Sequence, residues 1–361
     1  VSDASWADIE NAPIFRAKSL TTVAANPAQV RVMAWNIKYG AGRIPFWFDC
    51  WGDRVQLTPD ELATNLEGIY ALIREADPDI LMVEEIELNS RRSNYVDMVQ
   101  GILDHTQLNY AAYFETWDSR YIPSEGLGRM NLGNAIFSKY PMTGTQRITQ
   151  SDRTDLDALT ETFYIHRAIG RADIDLGGAQ LATFVVHTEA YDEDGTKKRQ
   201  IEQIYDVLMD VEGPFVIGGD FNELPPTAHQ VEGFPDERTE ALCSDEFDQP
   251  PYTPEVMTPF YTQFNPWISL DQYGDQPETQ SRYFTHSVLG PNEPNEAGVT
   301  GSWNRTLDYL FADRQSQWRM GSTDVLQQSG QQVGRLPWTL QADPRELSDH
   351  APVFGILEVR Q

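Results

Sequence analysis

The sequence predicts an α/β protein. Short apolar runs bounded by Gly, Pro and polar residues recur along the chain and read as buried strands. Between them, residues 62–73 and 201–208 carry apolar side chains at helical spacing. A third observation is that six of the strands end, or begin, on a polar side chain of catalytic type.

In chain order, residues 1–29 show no sustained period and are expected to pack as an extension on the surface. Residues 30–36 alternate as a strand and end on Asn36. Residues 39–57 form a loop rich in glycine and aromatics, with Phe46, Trp47, Phe48 and Trp51. It reads as a packed loop or as the rim of a pocket. Thr58, Pro59 and Glu61 make a helix start, with Thr58 as cap and Glu61 closing a capping box. Leu62, Leu66, Ile69 and Ile73 then share one face, and Asp77-Pro78 ends the helix. Residues 79–86 are an apolar strand with Glu84 and Glu85 at its end. Neighbouring strand residues face opposite ways, so only one of the two acids is expected to reach a given site.

A second helix is expected over 94–108, then strands over 110–115 and 134–138. Residues 167–176 and 180–187 read as a hairpin around Gly177-Gly178, its second strand finishing on His187. Residues 197–211 read as a helix. An apolar run then enters Gly218-Gly219-Asp220-Phe221-Asn222, where Asp220 and Asn222 sit at a strand end and the glycines leave room for a backbone or ligand. Residues 223–300 hold half of the chain's 22 prolines and read as an insertion with short elements, or as a lid. Its Phe260, Tyr261, Phe264 and Trp267 either anchor it or line a groove. Regular structure resumes at 305–311, around Asp308, and the chain closes with Ser348-Asp349-His350 before a last strand. No linker or internal repeat divides the chain, so residues 30–361 are expected to form one domain.

With 361 residues, 40% of them hydrophobic, the chain can bury a large core. Its net charge is −28 and its pI near 4.4, a balance that disfavours nucleic acid as partner unless a cation or local basic patch intervenes. Lysine is scarce, at Lys18, Lys38, Lys139, Lys197 and Lys198. No apolar run is long enough for a membrane span. No signal-peptide pattern is visible. The first residue, Val1, is compatible with a processed terminus, and a secreted or periplasmic protein is expected. Cys50 and Cys243 could be one disulfide or two buried thiols, and no zinc-type spacing exists. No obligate protein partner is evident.

Asn36, Glu85, His187, Asp220 with Asn222, Asp308, and Asp349 with His350 would gather several carboxylates in one cleft if their strands are adjacent. Like charges that close raise one another's pKa or demand a cation. Oxygen donors without thiolates select a hard ion, Mg²⁺ or Mn²⁺, with Ca²⁺ also suited. The two histidines supply donors to a developing negative charge. Such a site suits attack of water on a phosphoryl centre.

The same residues carry a family resemblance. Trp35-Asn36-Ile37, the Glu84-Glu85 strand end, Gly133-Asn134-Ala135-Ile136-Phe137-Ser138, His187, Gly219-Asp220-Phe221-Asn222, Leu307-Asp308-Tyr309 and Ser348-Asp349-His350 follow in the order seen in the endonuclease/exonuclease/phosphatase superfamily. From residue 30 onward the chain resembles that superfamily, which has the DNase I-like fold. The resemblance implies a four-layer sandwich: two mixed β-sheets face to face, flanked by helices, with the active cleft at one end. It implies Glu85 as main metal ligand with Asn36 and Asp349. Asp220 would orient or deprotonate the attacking water, with Asn222 holding the water or the phosphate. His350 would contact the phosphoryl oxygens while Asp308 fixes its tautomer.

His187 matches a position where sphingomyelinase-like and DNase I-like members carry histidine and abasic-site endonucleases carry tyrosine. It would stabilise the pentacoordinate state or protonate the leaving oxygen. Asn134 would be a lesser phosphate contact. Glu84 stands where many members have glutamine and reads as structural. Segments 46–51 and 223–300 exceed a minimal member and are where substrate choice would lie.

The expected function is a metal-dependent phosphodiesterase or phosphatase acting on a small or lipid-linked phosphate ester by in-line water attack. A secreted nuclease of the same fold is the alternative. A noncatalytic binding module on that fold is a second.

Overall fold

A computed structural model describes residues 6–46, 52–123, 126–157, 160–161, 163–190, 194–234, 236, 254–294, 298, 300, 303–333 and 336–360. Residues 47–51 of the aromatic loop, both cysteines and segment 237–253 of the proline-rich insertion lie outside the described residues.

Fifteen strands run in chain order among the described residues: β1 Ile9–Glu10, β2 Ile14–Arg16, β3 Gln29–Asn36, β4 Ile80–Glu87, β5 Tyr110–Ile122, β6 Gly128–Ser138, β7 Met142–Thr149, β8 Ala168–Asp175, β9 Gln180–His187, β10 Phe215–Asp220, β11 Asn265–Pro266, β12 Asp308–Ala312, β13 Gln317–Trp318, β14 Asp324–Val325 and β15 Val353–Glu358. They form two mixed sheets. One has the order β13-β15-β3-β4-β6-β5-β2, with β14 beside β15; the other has the order β1-β7-β8-β9-β10-β12-β11. The sheets pack face to face. Val32, Ala34, Met82 and Ile136 of the first meet Val185, Val216 and Leu310 of the second in one buried layer.

Strand alternation sends the other residues outward to the helices. Met33, Trp35, Leu81 and Val83 pack against helix α1 (Pro59–Ala76) and helix α2 (Met98–His105). Phe184, Phe215 and Ile217 pack against helix α3 (Thr196–Met209) and against Phe260 of the 258–263 turn of helix. The result is the four-layer sandwich the resemblance implies. No helix among the described residues is long and apolar enough to cross a membrane.

Local signals account for most of these elements. The α1 capping box forms in full: Thr58 Oγ1 accepts from Glu61 N–H at 3.3 Å, and Glu61 Oε2 accepts from Thr58 N–H at 2.8 Å. The second helix is shorter than the predicted 94–108. Asn94 and Tyr95 have φ of 53° and 61°, which no α-helix allows, and Asp97 provides the cap through Gln100 N–H at 2.8 Å. Residues 9–10 and 14–16, read as surface wrapping, add an edge strand to each sheet, pairing with β7 and β5. Strands of two and three residues are too short to display a period, so the partner backbone decides them.

In the insertion, Phe260, Phe264 and Trp267 are buried and anchor it to the second sheet; β11 extends that sheet at its edge. The two glycines of the GGD segment make room for protein rather than ligand. A Cβ on Gly218 would meet Leu310 on the paired strand β12 and Ala34 across the sheet interface, and one on Gly219 (φ +137°) would lie 2.0 Å from Val186 O.

Candidate active site

Strand parity builds the site. On β3, β10 and β12 the residues that face the neighbouring sheet are Val32, Ala34, Val216, Leu310 and Ala312. Asn36 stands two residues beyond Ala34 on β3, Asp220 two beyond Gly218 on β10 and Asp308 two before Leu310 on β12, and His187 follows Val185 on β9 with the same parity. These polar tips therefore point into the gap between the sheets where the apolar filling stops. β3 and β4 run parallel, as do β9 and β10, while β12 and β15 are antiparallel to their neighbours β10 and β3. Four strands thus end, and two begin, at one edge of the sandwich.

Asp220 is the hub. Its Oδ2 accepts from Asn36 Nδ2 at 3.2 Å and lies 3.4 Å from His187 Nε2 and 3.6 Å from His350 Nε2. Its Oδ1 accepts from the Asn222 backbone N–H at 2.9 Å. Asn222, in a left-handed conformation (φ 46°), uses its side-chain amide to donate to Thr188 O at 3.1 Å. Asn222 thereby braces Asp220 and ties β10 to the end of β9. His350 Nδ1 sits 2.8 Å from Asp308 Oδ2, and Thr285 Oγ1 accepts the Asp308 backbone N–H at 3.2 Å. The carboxylate fixes the ring, leaving Nε2 toward Asp220.

The electrostatics separate the two histidines. Burial, then Arg167 and His350, push His187 well below its ordinary value, so its ring is neutral. Burial works against an imidazolium at His350 as well. There Asp308 and Asp220 outweigh it, with the Asp308 hydrogen bond, and hold the ring up at about 10. Asp220 is raised to about 7: burial and Asp308 push it up, and His350, Asn222 and Asn36 pull it back.

Glu85 reaches the site by breaking parity. On β4 the inward residues are Ile80, Met82 and Glu84, so a regular strand would send Glu85 outward. A bulge between Val83 and Ile86, with Glu85 at φ 53°, turns it back. Both acids therefore arrive, and the expectation that only one could do so is corrected. Glu85 Oε1 accepts from Asn36 Nδ2 at 3.0 Å. Burial and then the charge of Asp349 push the Glu85 carboxyl up, which puts the two acids within electrostatic reach. Burial works against charge on Asp349 too, but Lys38, His350 and Arg43 keep it ionised below its ordinary value. Lys38 Nζ stands 3.1 Å from Asp349 Oδ2.

Glu85 and Asp349, the latter already neutralised by an ammonium, offer hard carboxylate oxygens of the kind that fit Mg²⁺, Mn²⁺ or Ca²⁺. Asn36 turns its Nδ2 to Glu85 while its Oδ1 accepts the Lys38 N–H at 3.0 Å, so it would add an oxygen only with its amide turned over. A second set of donors, on Asp220, Asp308 and His350, lies within 4.8 Å of one another and could also hold an ion. There a cation would have to displace the proton that the two carboxylates hold on His350. Asn134, on β6 opposite the β4 bulge, is buried, and its Nδ2 has no hydrogen-bond partner among the described residues.

Several residues around the site carried no sequence signal. Thr285 and His286 lie in the irregular insertion, where no period marks them; the His286 ring lies 4.6 Å from that of His350, tilted at 59° to it. Glu84 was read as structural. Its carboxyl is fully buried between the sheets with neither oxygen partnered among the described residues. Burial, then Asp308 and Asp220, hold its pKa well above the ordinary value, so it is a neutral acid. Below about pH 4.3 a glutamate is protonated in folded and unfolded chains alike. Above it only the unfolded chain ionises, so this group lowers stability as pH rises. Glu84→Gln has no proton to lose. In EDTA, its melting temperature is expected to gain on the native protein steadily from about pH 5 to pH 8. A constant difference across that range would mean that Glu84 is charged in the fold.

The sequence matches the model of the Endonuclease/Exonuclease/phosphatase family over residues 33–350. No curated protein matches it in sequence. Among solved structures, a family member from Bacteroides thetaiotaomicron is similar at a TM-score of 0.52 and 13% identity, covering 94% of this chain and 100% of that one. A member from Bacteroides vulgatus scores 0.51 at 13% identity over 92% and 100% of the two chains. The mannosyl-6-phosphatase of B. thetaiotaomicron scores 0.50 at 14% identity over 91% and 99%. At such identities the likeness is one of fold.

Proposed function

Because the chain belongs to the endonuclease/exonuclease/phosphatase family, we propose that it hydrolyses a small or lipid-linked phosphate ester by direct attack of water, with a divalent cation. The observation that carries this reading is the convergence of Asn36, His187 and His350 on one carboxylate, Asp220, within 3.2–3.6 Å.

Asp220 accepts the proton of the attacking water. A carboxyl raised to about 7 is matched to that task near neutral pH. His350, held cationic by Asp308, donates from Nε2 to a phosphoryl oxygen. His187 is neutral, which favours hydrogen-bond stabilisation of the pentacoordinate state over proton delivery. Asn222 holds Asp220 in place through its backbone N–H. Asn36, Glu85 and Asp349 would hold the cation, with Asn134 as a lesser phosphate contact. When bound, a divalent cation supplies Lewis-acid polarisation of a phosphoryl oxygen. The net charge of −28 supports a small or lipid-linked ester over a nucleic acid, whose binding depends on Lys and Arg at its phosphates.

The test is hydrolysis of a chromogenic phosphodiester and a chromogenic monoester, each with Mg²⁺, Mn²⁺, Ca²⁺ or EDTA. Turnover that needs a cation is expected on at least one of them. No turnover with any ion on either ester would leave a noncatalytic binding module. Plasmid DNA cleaved faster than both would favour the nuclease.

A further inference from the structure

A cleft of about 210 Å³ lies beside the Asp349 flank of the site, lined by Lys38, Arg43, Pro45, Val288, Leu289, Glu293 and Pro294. It is stitched to the reacting centre at three points. Lys38, one of its walls, holds the Asp349 carboxylate at 3.1 Å. The Ser287 N–H donates to Asp349 O at 3.0 Å, and His286 pairs with His350 through the backbone. Arg43 is immobilised by neutral acceptors: Nε donates to Arg345 O at 2.6 Å, Nη1 to Ser287 O at 2.7 Å and Nη2 to Ser287 Oγ at 3.0 Å. Its guanidinium also lies 5.1 Å from the centre of the Trp303 ring. Three of its five N–H groups are thereby committed. Glu293 faces the same space, with Oε2 accepting the Gly290 N–H at 2.9 Å.

We propose that this cleft seats the non-reacting part of the substrate, and that this part is a compact polyol, a sugar or cyclitol ring. The proposal rests on the phosphohydrolase reading above and deepens it. A hydroxyl donates and accepts at once. A wall offering two cationic donors, a carboxylate acceptor and apolar Pro45, Val288, Leu289 and Pro294 satisfies vicinal hydroxyls and the ring's C–H face together. A second phosphate would meet Glu293 as a like charge. A lipid chain would strip water from the charged walls and offer no hydrogen bond in return. No aromatic face is among the described lining residues for a base to stack on. The volume sits below the ~300–1,000 Å³ of pockets that enclose drug-sized ligands, so it takes about one ring.

The experiment has two arms. In the first, kcat/KM is measured for glucose 6-phosphate, myo-inositol 1-phosphate, phosphocholine and a nitrophenyl phosphate ester, with native protein, Glu293→Gln and Val288→Phe. The ratio of the better polyol phosphate to the nitrophenyl ester is expected to exceed one in the native protein. It should fall roughly 10-fold or more in Glu293→Gln, as expected for loss of a hydrogen bond to a charged group. Val288→Phe, which fills the cleft, should lower the same ratio through KM. In the second arm, calorimetry in EDTA compares binding of the two polyol phosphates with that of inorganic phosphate. Tighter binding of a polyol phosphate is expected, lost in Glu293→Gln.

Equal binding of inorganic phosphate and both polyol phosphates overturns the proposal, as does a selectivity ratio indifferent to both variants. Cation-dependent turnover of the nitrophenyl ester alone would overturn it while leaving the phosphohydrolase reading standing. Polyol-phosphate binding without any turnover would do the reverse. Preference for phosphocholine would assign the cleft to a lipid headgroup instead.

Discussion

Asp220→Asn is expected to lower kcat by roughly 10²–10⁴-fold, the usual span for losing a positioned proton acceptor. The substitution keeps the size of the side chain and leaves one oxygen to accept the Asn222 N–H. What goes is the negative charge beside His187 and His350. Two further readouts separate this from simple damage. Asp220 is one of the charges that raise His350, so the His350 imidazole is expected to titrate lower in the variant, which NMR can follow.

The folded Asp220 carboxyl is itself raised to about 7, above the ordinary carboxylate range. Its stability contribution is thus complete only below about pH 4 and is lost as pH climbs toward 7. At about pH 8, Asp220→Asn should melt no lower than the native protein. A kcat within about 10-fold of native would move proton acceptance to another group.

Glu85→Gln is expected to reduce Mn²⁺ affinity by at least ~100-fold in calorimetry, more than the 10- to 100-fold typical of residues that only support a ligand. Turnover at low cation concentration should vanish and recover in part at high concentration. Glutamine can still accept from Asn36 Nδ2, so the local hydrogen bond survives and the loss reports the charge. Asp308→Asn is the control, because Asp308 belongs to the other donor cluster, with Asp220 and His350. Unchanged affinity in Glu85→Gln, with loss in Asp308→Asn, would transfer the ion to that cluster.

Much of the site was legible because strand periodicity is local. A buried strand announces itself by apolar composition, and a polar group at its tip stands out against that run. Asn36, His187, Asp220 and Asp308 were all visible in this way, and the structure puts all four on the side facing the opposite sheet. Asp349 and His350 were visible from their place just before β15. Glu85 was picked from the resemblance, against the parity of its own strand; only the bulge at β4 explains how it gets there. Glu84 went the other way. Its inward parity was readable, but not that Asp220 and Asp308 from the second sheet would press on it.

Thr285, His286 and Arg43 lie in segments without a period, and nothing short of the folded chain draws attention to them. The edge strands at 9–10 and 14–16 were hidden for a related reason: pairing at a sheet edge is supplied by the partner's backbone, which composition does not encode.

By itself, then, the amino-acid order determined which segments become buried strands and helices, where those strands stop, and which polar groups stand at their tips. Each of these depends on side chains within about ten positions of one another. Only the tertiary structure decided that β9, β10 and β12 of one sheet would bring their tips against β3, β4 and β15 of the other. It alone turned Glu85 inward, ionised His350 while leaving His187 neutral, and opened a cleft between Arg43 and the 288–294 segment. The reason is physical: charge coupling and cavity shape depend on distances across the sandwich, between groups that sequence separation does not relate.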